Sequence, residues 1–305
     1  MATTKEIKSR ISSVKDTQKI TNAMYLIAST KLRRAKQELD RSRPYFNALR
    51  GEIKRIFRTG ENVESKYFYP VTGEHELPGS YGYLAITADK GLAGAYNHNV
   101  IKETIRLMGG HEDPKLFVVG EYGRHYFTAH NIPIERSFLY TAQNPSVHRA
   151  REIAALLLEL FGRGELSKIF VIYTDMKNAI ESEVCVTRLL PFHRAQFIVP
   201  ESHEEPIKTP FEFMPSTVEV LDNIVPSYVT GFIYSALISS FCCEQNARMN
   251  AMDAANRNAE KLLGELSVQY NYIRQSAITR EITEVTSGAR SLQMKTQKPK
   301  GVGTV

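Results

Sequence analysis

The sequence predicts an α/β fold with an unusual plan: a long antiparallel coiled coil built from the two ends of the chain, with a Rossmann-like α/β domain inserted between them. Three observations predict it. Residues 244–291 contain no Pro and only Gly264 and Gly288, so one helix can propagate through all of them. Residues 5–57 carry two series of mostly apolar residues at sevenfold spacing. Between the two ends, short apolar runs of strand length alternate with helical periods.

In the C-terminal stretch, Ala259, Leu263, Leu266, Tyr270, Ile273 and Ala277 step by four and three, the seam that faces a second helix in a left-handed supercoil. From Ile278 another stripe begins, formed by Ile278, Ile282, Val285, Ala289 and Leu292, on a different face. A helix that is apolar on more than one side is expected to be enclosed there. The N-terminal series supplies the helical mate. One member set is Ile7, Val14, Thr21, Ala28, Ala35, Ser42, Leu49 and Ile56; the other is Ile11, Gln18, Tyr25, Leu32, Leu39, Phe46 and Ile53. Small members such as Ala28 and Ala35 let two backbones approach closely. Pro44 is expected to kink or restart this helix, and Pro226 to sit in the first turn of the last one.

The middle of the chain reads as strand at 83–87, a glycine turn GLAGAYN at 91–97, and helix to about Met108. Strand at 115–119, helix at 121–130, helix at 147–161, and strands at 168–173 and 183–190 follow. Strands separated by helices of this length imply βαβ units and a largely parallel sheet. The turn-rich stretch 70–80 and the Pro-containing stretch 191–215 connect this region to the helices. The expected boundaries are therefore 1–58 for the N-terminal helix, 59–208 for the α/β domain, 209–292 for the C-terminal helix and 293–305 for a basic tail. At about 1.5 Å per residue, a C-terminal helix of roughly 65 residues is on the order of 100 Å long and must protrude from the domain.

Composition narrows the function classes. The hydrophobic fraction is 42% and the charged fraction 24%, as in an ordinary globular protein. The most apolar segment, 225–243, is interrupted by Pro226, Ser227, Thr230, Ser235, Ser239 and Ser240, and reads as a core helix rather than a membrane anchor. The N-terminus shows no signal or transit pattern, which points to a cytosolic prokaryotic protein. Of the net charge of +6, residues 1–58 hold +10, from fifteen Lys/Arg against five Asp/Glu, leaving −4 for the remainder. Most of these basic residues fall off the seam and make a positive outer face. Cys185, Cys242 and Cys243 form neither a disulfide framework nor a zinc spacing; adjacent Cys242 and Cys243 point to different helix faces as small buried residues.

An enzyme reading would use the glycine turn as a phosphate cradle, but GLAGAYN fits neither G-x-G-x-x-G nor G-x-x-x-x-G-K-[ST], and a glycine turn between strand and helix is usually structural. The eight histidines form no H-x-x-x-H or Cys/His cluster, so no metal and no cofactor are expected. A nucleic-acid reading of the basic arm lacks aromatic interleaving and a known module, and an acidic protein partner explains the charge equally well. A coiled-coil scaffold of unknown partner is the third alternative.

Several motifs in order resemble the gamma subunit of F-type ATP synthases, over nearly the whole chain. RISSVKDTQKITNAMYLIASTKLRRAKQ from Arg10 is similar to that family's opening helix, and ITADKGLAGAYN from Ile86 to its central loop. EQNARMNAMDAANRNA, YNYIRQSAIT and ITREITEVTSGARS resemble its C-terminal signature. The resemblance implies a non-catalytic rotor shaft, present once per complex. Its tip would lie in the hexamer of alternating alpha and beta subunits, and its inserted domain would rest with the epsilon subunit on the membrane c-ring. Ion flow would turn ring and shaft, and the asymmetric shaft would drive the catalytic beta sites through their conformations for ATP synthesis. Membrane contact would be indirect, through the c-ring, at the cytoplasmic face of the bacterial inner membrane. By the same resemblance Arg274, Gln275, Thr279 and Glu281 would contact the catalytic hexamer near the tip. Met24, Lys31, Arg33 and Arg34 would face the acidic lever segment of the beta subunits, and the stripe from Ile278 to Leu292 would be an apolar bearing. Ala93 stands where many members have Cys, Lys90 where Arg is common, and the paired-cysteine insertion of the chloroplast version is missing.

Overall fold

A computed structural model of the chain describes residues 3–58, 65–69, 79–139, 142–177, 181–193, 197 and 213–296. Within these, the chain falls into two compact units, Met1–Met24 with Met252–Val305, and Tyr25–Ala251. Helix α1 (Thr4–Arg58) and helix α5 (Thr217–Thr296) each contribute to both units.

The start of α1 is a capping box. Thr3 Oγ1 accepts the Glu6 amide at 3.3 Å while the Glu6 carboxylate accepts the Thr3 amide at 2.9 Å, so two orphan donors of the first turn are satisfied reciprocally. The two sevenfold series hold along the helix: every member is buried or half-buried, with Ile7, Ala28, Ala35, Ile53 and Ile56 buried. Basic residues occupy the outer face, except for buried Lys54 and half-buried Arg55. The expected restart at Pro44 does not occur, and α1 passes through it unbroken. Pro44 lies on the solvent side, where water can take the carbonyl it leaves without a donor.

In the larger unit, strands β1 (Ser80–Ile86), β2 (Pro114–Val119), β3 (Arg136–Phe138), β4 (Leu166–Met176) and β5 (Ser182–Leu190) form one sheet of order β3-β2-β1-β4-β5. All pairings are parallel except β4 with β5. The sequence periods locate four of these strands, somewhat short. β3, three residues paired to Phe117–Val119, is too brief to show any period. Helices α2 (Tyr96–Met108), α3 (Glu121–Ala129) and α4 (Val147–Gly162) agree with the sequence reading to within a residue or so at their C-terminal ends.

Alternation along β1 separates two cores. Leu84 and Ile86 face Phe117, Val119 and Val171 together with α4 and the helical segments of α1 and α5 in this unit. Tyr83 and Ala85 face α2 and α3 through Val100, Ile101 and Phe127. Both faces of the central strands are thus covered by helices, as parallel sheets require. At the β2–α3 junction Gly120 has φ +97°, and a Cβ there would lie 2.3 Å from the Thr87 carbonyl oxygen, so only glycine fits.

Helix α5 begins well before Pro226, which is therefore an interior residue and not a first-turn one. The physical start is Ser216, whose Oγ accepts the Glu219 amide at 3.2 Å and whose carbonyl accepts the Val220 amide at 3.0 Å. By length and composition α5 contains a stretch apolar enough to cross a membrane. Its apolar window turns inward: Val225, Val229, Ile233 and Leu237 are buried in the first core. Within the larger unit α1 and α5 touch closely. Ala35 packs with Ile238 and Cys242, and a Cβ on Gly231 would lie 1.4 Å from Cε1 of Phe46. Cys242 thus faces α1 while its neighbour Cys243 packs with Ala88, Ala93 and Tyr96.

Two predictions follow from this packing. Gly231→Ala must push the Phe46 ring out of its groove, so it should lower stability by about 1–3 kcal/mol in urea denaturation; an unchanged midpoint would show that the contact is loose. Burial pushes the Cys242 thiol up from 9.0 to about 11, and raises Cys243 further. A raised thiol pKa favours the folded state below the unfolded pKa, and that contribution disappears as pH rises through the folded value. Stability should fall between pH 9 and about pH 11, and the Cys242→Ala, Cys243→Ala variant should flatten that slope.

Candidate functional site

In the smaller unit, α1 up to Met24 pairs with the segment of α5 from Met252 to Ile273, and two side-chain contacts fix the direction. Thr21 Oγ1 donates to Asn256 Oδ1, and Gln18 Nε2 donates to Glu260 Oε1 at 3.5 Å. One number falls as the other rises, so the pairing is antiparallel. The same register sets Ile11 against Leu266 and Ile7 against Tyr270, and burial follows it: Ile7 is 2% and Leu266 6% exposed. Ala259, Leu263, Tyr270 and Ile273 are half-buried, as the seam predicts, but Ala277 is exposed because α1 has ended by then.

Beyond Ile273 helix α5 continues without a partner among the described residues. Ile278, Ile282, Val285 and Leu292 are 47%, 59%, 71% and 69% exposed, and Ala289 is exposed too. At about 100° per residue these five span an arc of about 80°, centred about 100° from the seam. The stripe therefore does not face α1 even where α1 is present. Arg274 and Glu281 lie at the edge of the arc nearest the seam, while Gln275 and Thr279 lie past its other edge. All four are exposed, and Arg274, Gln275 and Glu281 make no hydrogen bond or ion pair among the described residues. The hydroxyls of Thr283 and Thr286 are instead satisfied inside the helix, by the carbonyls of Thr279 and Ile282, each at 2.8 Å. This end of α5 thus offers an apolar stripe with unengaged polar groups on both flanks.

The basic group divides between the units. Met24 closes the N-terminal segment of the smaller unit and is half-buried, whereas Lys31, Arg33 and Arg34 lie on α1 in the larger unit and are exposed. Lys31 and Arg34, with Gln143, Asn144, Ile238 and Phe241, line a groove of about 310 Å³. None of the three cations has an ion-pair partner among the described residues. Sequence reasoning missed further exposed apolar residues: Ile20, Leu26 and Ile27 on α1, and Val268 and Tyr272 on α5. Val268 and Tyr272 share a helix face with Gln275 and Thr279. Their signal was apolar character outside the heptad positions.

The glycine turn is not an open cradle. The Ala88 amide donates to Asn97 Oδ1 at 2.9 Å, and Ala93 and Tyr96 are buried against Cys243 of α5. Among the described residues no group of three or more His, Cys, Asp or Glu side chains is placed to hold a metal ion. Residues 297–305 of the basic tail lie outside the described residues.

A family model for ATP synthase matches residues 3–292. The ATP synthase gamma chain of Caldanaerobacter subterraneus is 43% identical over 293 residues, covering 93% of this chain and 98% of that one. The gamma chain of Acetivibrio thermocellus is 38% identical over 297 residues, covering 96% of this chain and all of the other. Among solved structures, a chain of the central stalk and c-ring of the Tetrahymena thermophila mitochondrial ATP synthase is 26% identical. It has a TM-score of 0.55 and covers 77% of this chain and 99% of that one. A chain of the Euglena gracilis mitochondrial ATP synthase, from an OSCP/F1/c-ring structure, shares the fold at TM-score 0.70 and 15% identity, covering 99% of this chain and 98% of that one.

The contrast between seam and stripe is measurable on the isolated chain. Leu266→Ala should cost about 2–4 kcal/mol, whereas Ile282→Ala should stay within about 0.5 kcal/mol. Equal losses in thermal or urea unfolding would mean that the stripe is already covered.

Proposed function

We propose the working of this protein from one premise: the chain belongs to the gamma-chain family of F-type ATP synthases, the rotor subunits of the central stalk. It is a subunit of a rotary ATPase, and its complex is membrane-associated. The observation that supports the mechanical reading best is the length of α5 beyond its mate. A helix carrying 47–71% exposed Ile, Val and Leu on one arc needs a sleeve. The alpha and beta subunits supply one, with Ile278, Ile282, Val285, Ala289 and Leu292 as the bearing surface and Arg274, Gln275, Thr279 and Glu281 as polar contacts.

Because the stripe covers only one side of the helix, it cannot meet three beta subunits alike. At any angle each beta subunit faces a different part of the shaft, and turning the shaft passes those contacts on in sequence. Met24, Lys31, Arg33 and Arg34 face the acidic lever segments of the beta subunits. Exposed ion pairs are worth about 0–1 kcal/mol each, enough to register contact and too little to lock the shaft. The α/β region, 59–208 in functional terms, rests with the epsilon subunit on the c-ring, while 1–58 and 209–292 transmit rotation. One copy serves each complex, at the cytoplasmic face of the bacterial inner membrane, held there indirectly through the c-ring. The chain has no catalytic site, cofactor or nucleic-acid ligand of its own.

Co-purification with alpha and beta subunits from native membranes tests the assignment, and their absence would overturn it. In the assembled complex, Arg274→Ala with Gln275→Ala should reduce ATP synthesis while leaving the isolated chain's stability within about 0.5 kcal/mol. A lone helical end of this kind is marginal in water, so amides of residues 274–292 should exchange fast in the isolated chain and slowly in the complex. Equal exchange in both would remove the sleeve.

A further inference from the structure

In doubly wound sheets the crevice outside the carboxyl ends of the strands, where the strand order reverses, is the usual ligand site. Here the order reverses at β1, which has β2 on one side and β4 on the other, so the crevice opens past Ile86 and Met176. It is not vacant. Helix α5 lies over it, and Ser240, Cys243, Glu244, Gln245 and Asn246 are all buried there. Ser240 Oγ accepts the Thr174 amide at 3.2 Å, tying α5 to the end of β4.

The tie to the loop after β1 is made by charge-assisted hydrogen bonds from Arg248, whose ion pair with Glu244 lies within α5. Arg248 Nη1 donates to Glu244 Oε1 at 2.6 Å, and Arg248 Nη2 donates to the carbonyls of Gly91 at 2.9 Å and Lys90 at 3.2 Å. The two side chains are only 11% and 7% exposed. Burial raises the Glu244 carboxyl pKa and Arg248 opposes that rise, while Asp89 raises it and Lys31 lowers it from farther off. Such a buried pair is weak evidence for stability, since apolar residues of equal volume often serve as well or better. Its distinctive property is direction. The apolar contacts of Val225, Val229, Ile233 and Leu237 with the core are non-directional and tolerate small rotations, whereas a planar guanidinium shared among one carboxylate and two carbonyls has one good orientation.

We infer that Arg248, seated where a Rossmann-type sheet would hold a ligand, is the latch that fixes the rotational position of α5 against the sheet, and so a positioning residue for coupling. This rests on the rotor reading. Torque carried by α5 enters the sheet through the backbone of residues 90 and 91, and the latch removes slack between the two.

The test uses inverted membrane vesicles carrying the whole complex with Arg248→Gln, Arg248→Lys, or Arg248→Gln combined with Glu244→Gln. ATP hydrolysis should stay within about twofold of the parent, while ions pumped per ATP fall about threefold or more and amides of residues 88–97 exchange about tenfold faster. Arg248→Lys keeps the charge but cannot span three acceptors, so it should remain impaired in pumping. The double variant leaves no stranded charge, so it should recover assembly without recovering pumping. Unchanged pumping per ATP in assembled Arg248→Gln complexes overturns the latch. So does failure of both Arg248→Lys and the double variant to assemble, since the residue would then be needed for folding. Absence of the parent chain from complexes containing alpha and beta subunits would instead overturn the rotor reading itself.

Discussion

Two helices can lie close enough for their backbones to share a seam only if small side chains stand between them, and the rest of this chain depends on that condition. Ala28 and Ala35 keep α1 thin, and Gly231 leaves α5 with no side chain where the Phe46 ring must sit. The close approach brings the apolar window of α5 onto the sheet, turning a stretch with the composition of a membrane span into core. It also places Glu244 and Arg248 against the loop that follows β1.

Legibility in the sequence followed the range of the interaction. The sevenfold series of α1 was readable because each member answers to one facing helix, and every member is buried or half-buried. The central strands were readable because their apolar runs are long. The start of α5 was misplaced by weighing Pro226 above Ser216 and Glu219, although that S-x-x-E pattern was there to be read. Strand β3 lacked the length for a period, being held by pairing with β2 and not by its own residues. The contacts of Arg248 were out of reach for another reason: two of its three acceptors are backbone carbonyls, which every residue type possesses.

The polar positions at the tip divide the same way. Arg274, Gln275, Thr279 and Glu281 have no structural duty among the described residues, so neither period nor packing could select them; only the resemblance of their motif did. The apolar stripe, by contrast, was visible as a change of face at Ile278. Its exposure gives that change a physical sense, because none of the described residues covers apolar side chains that are costly to leave in water.

The capping box at Thr3 and Glu6 sets more than the start of a helix. It marks where α1 stops supporting α5, and hence how much of α5 is left without a helical mate among the described residues. The deflection of a loaded beam grows with the cube of its free length, so a turn added to or removed from α1 would alter the compliance of the tip out of proportion to its mass. In that sense the first few residues of the chain govern the springiness of its last few dozen.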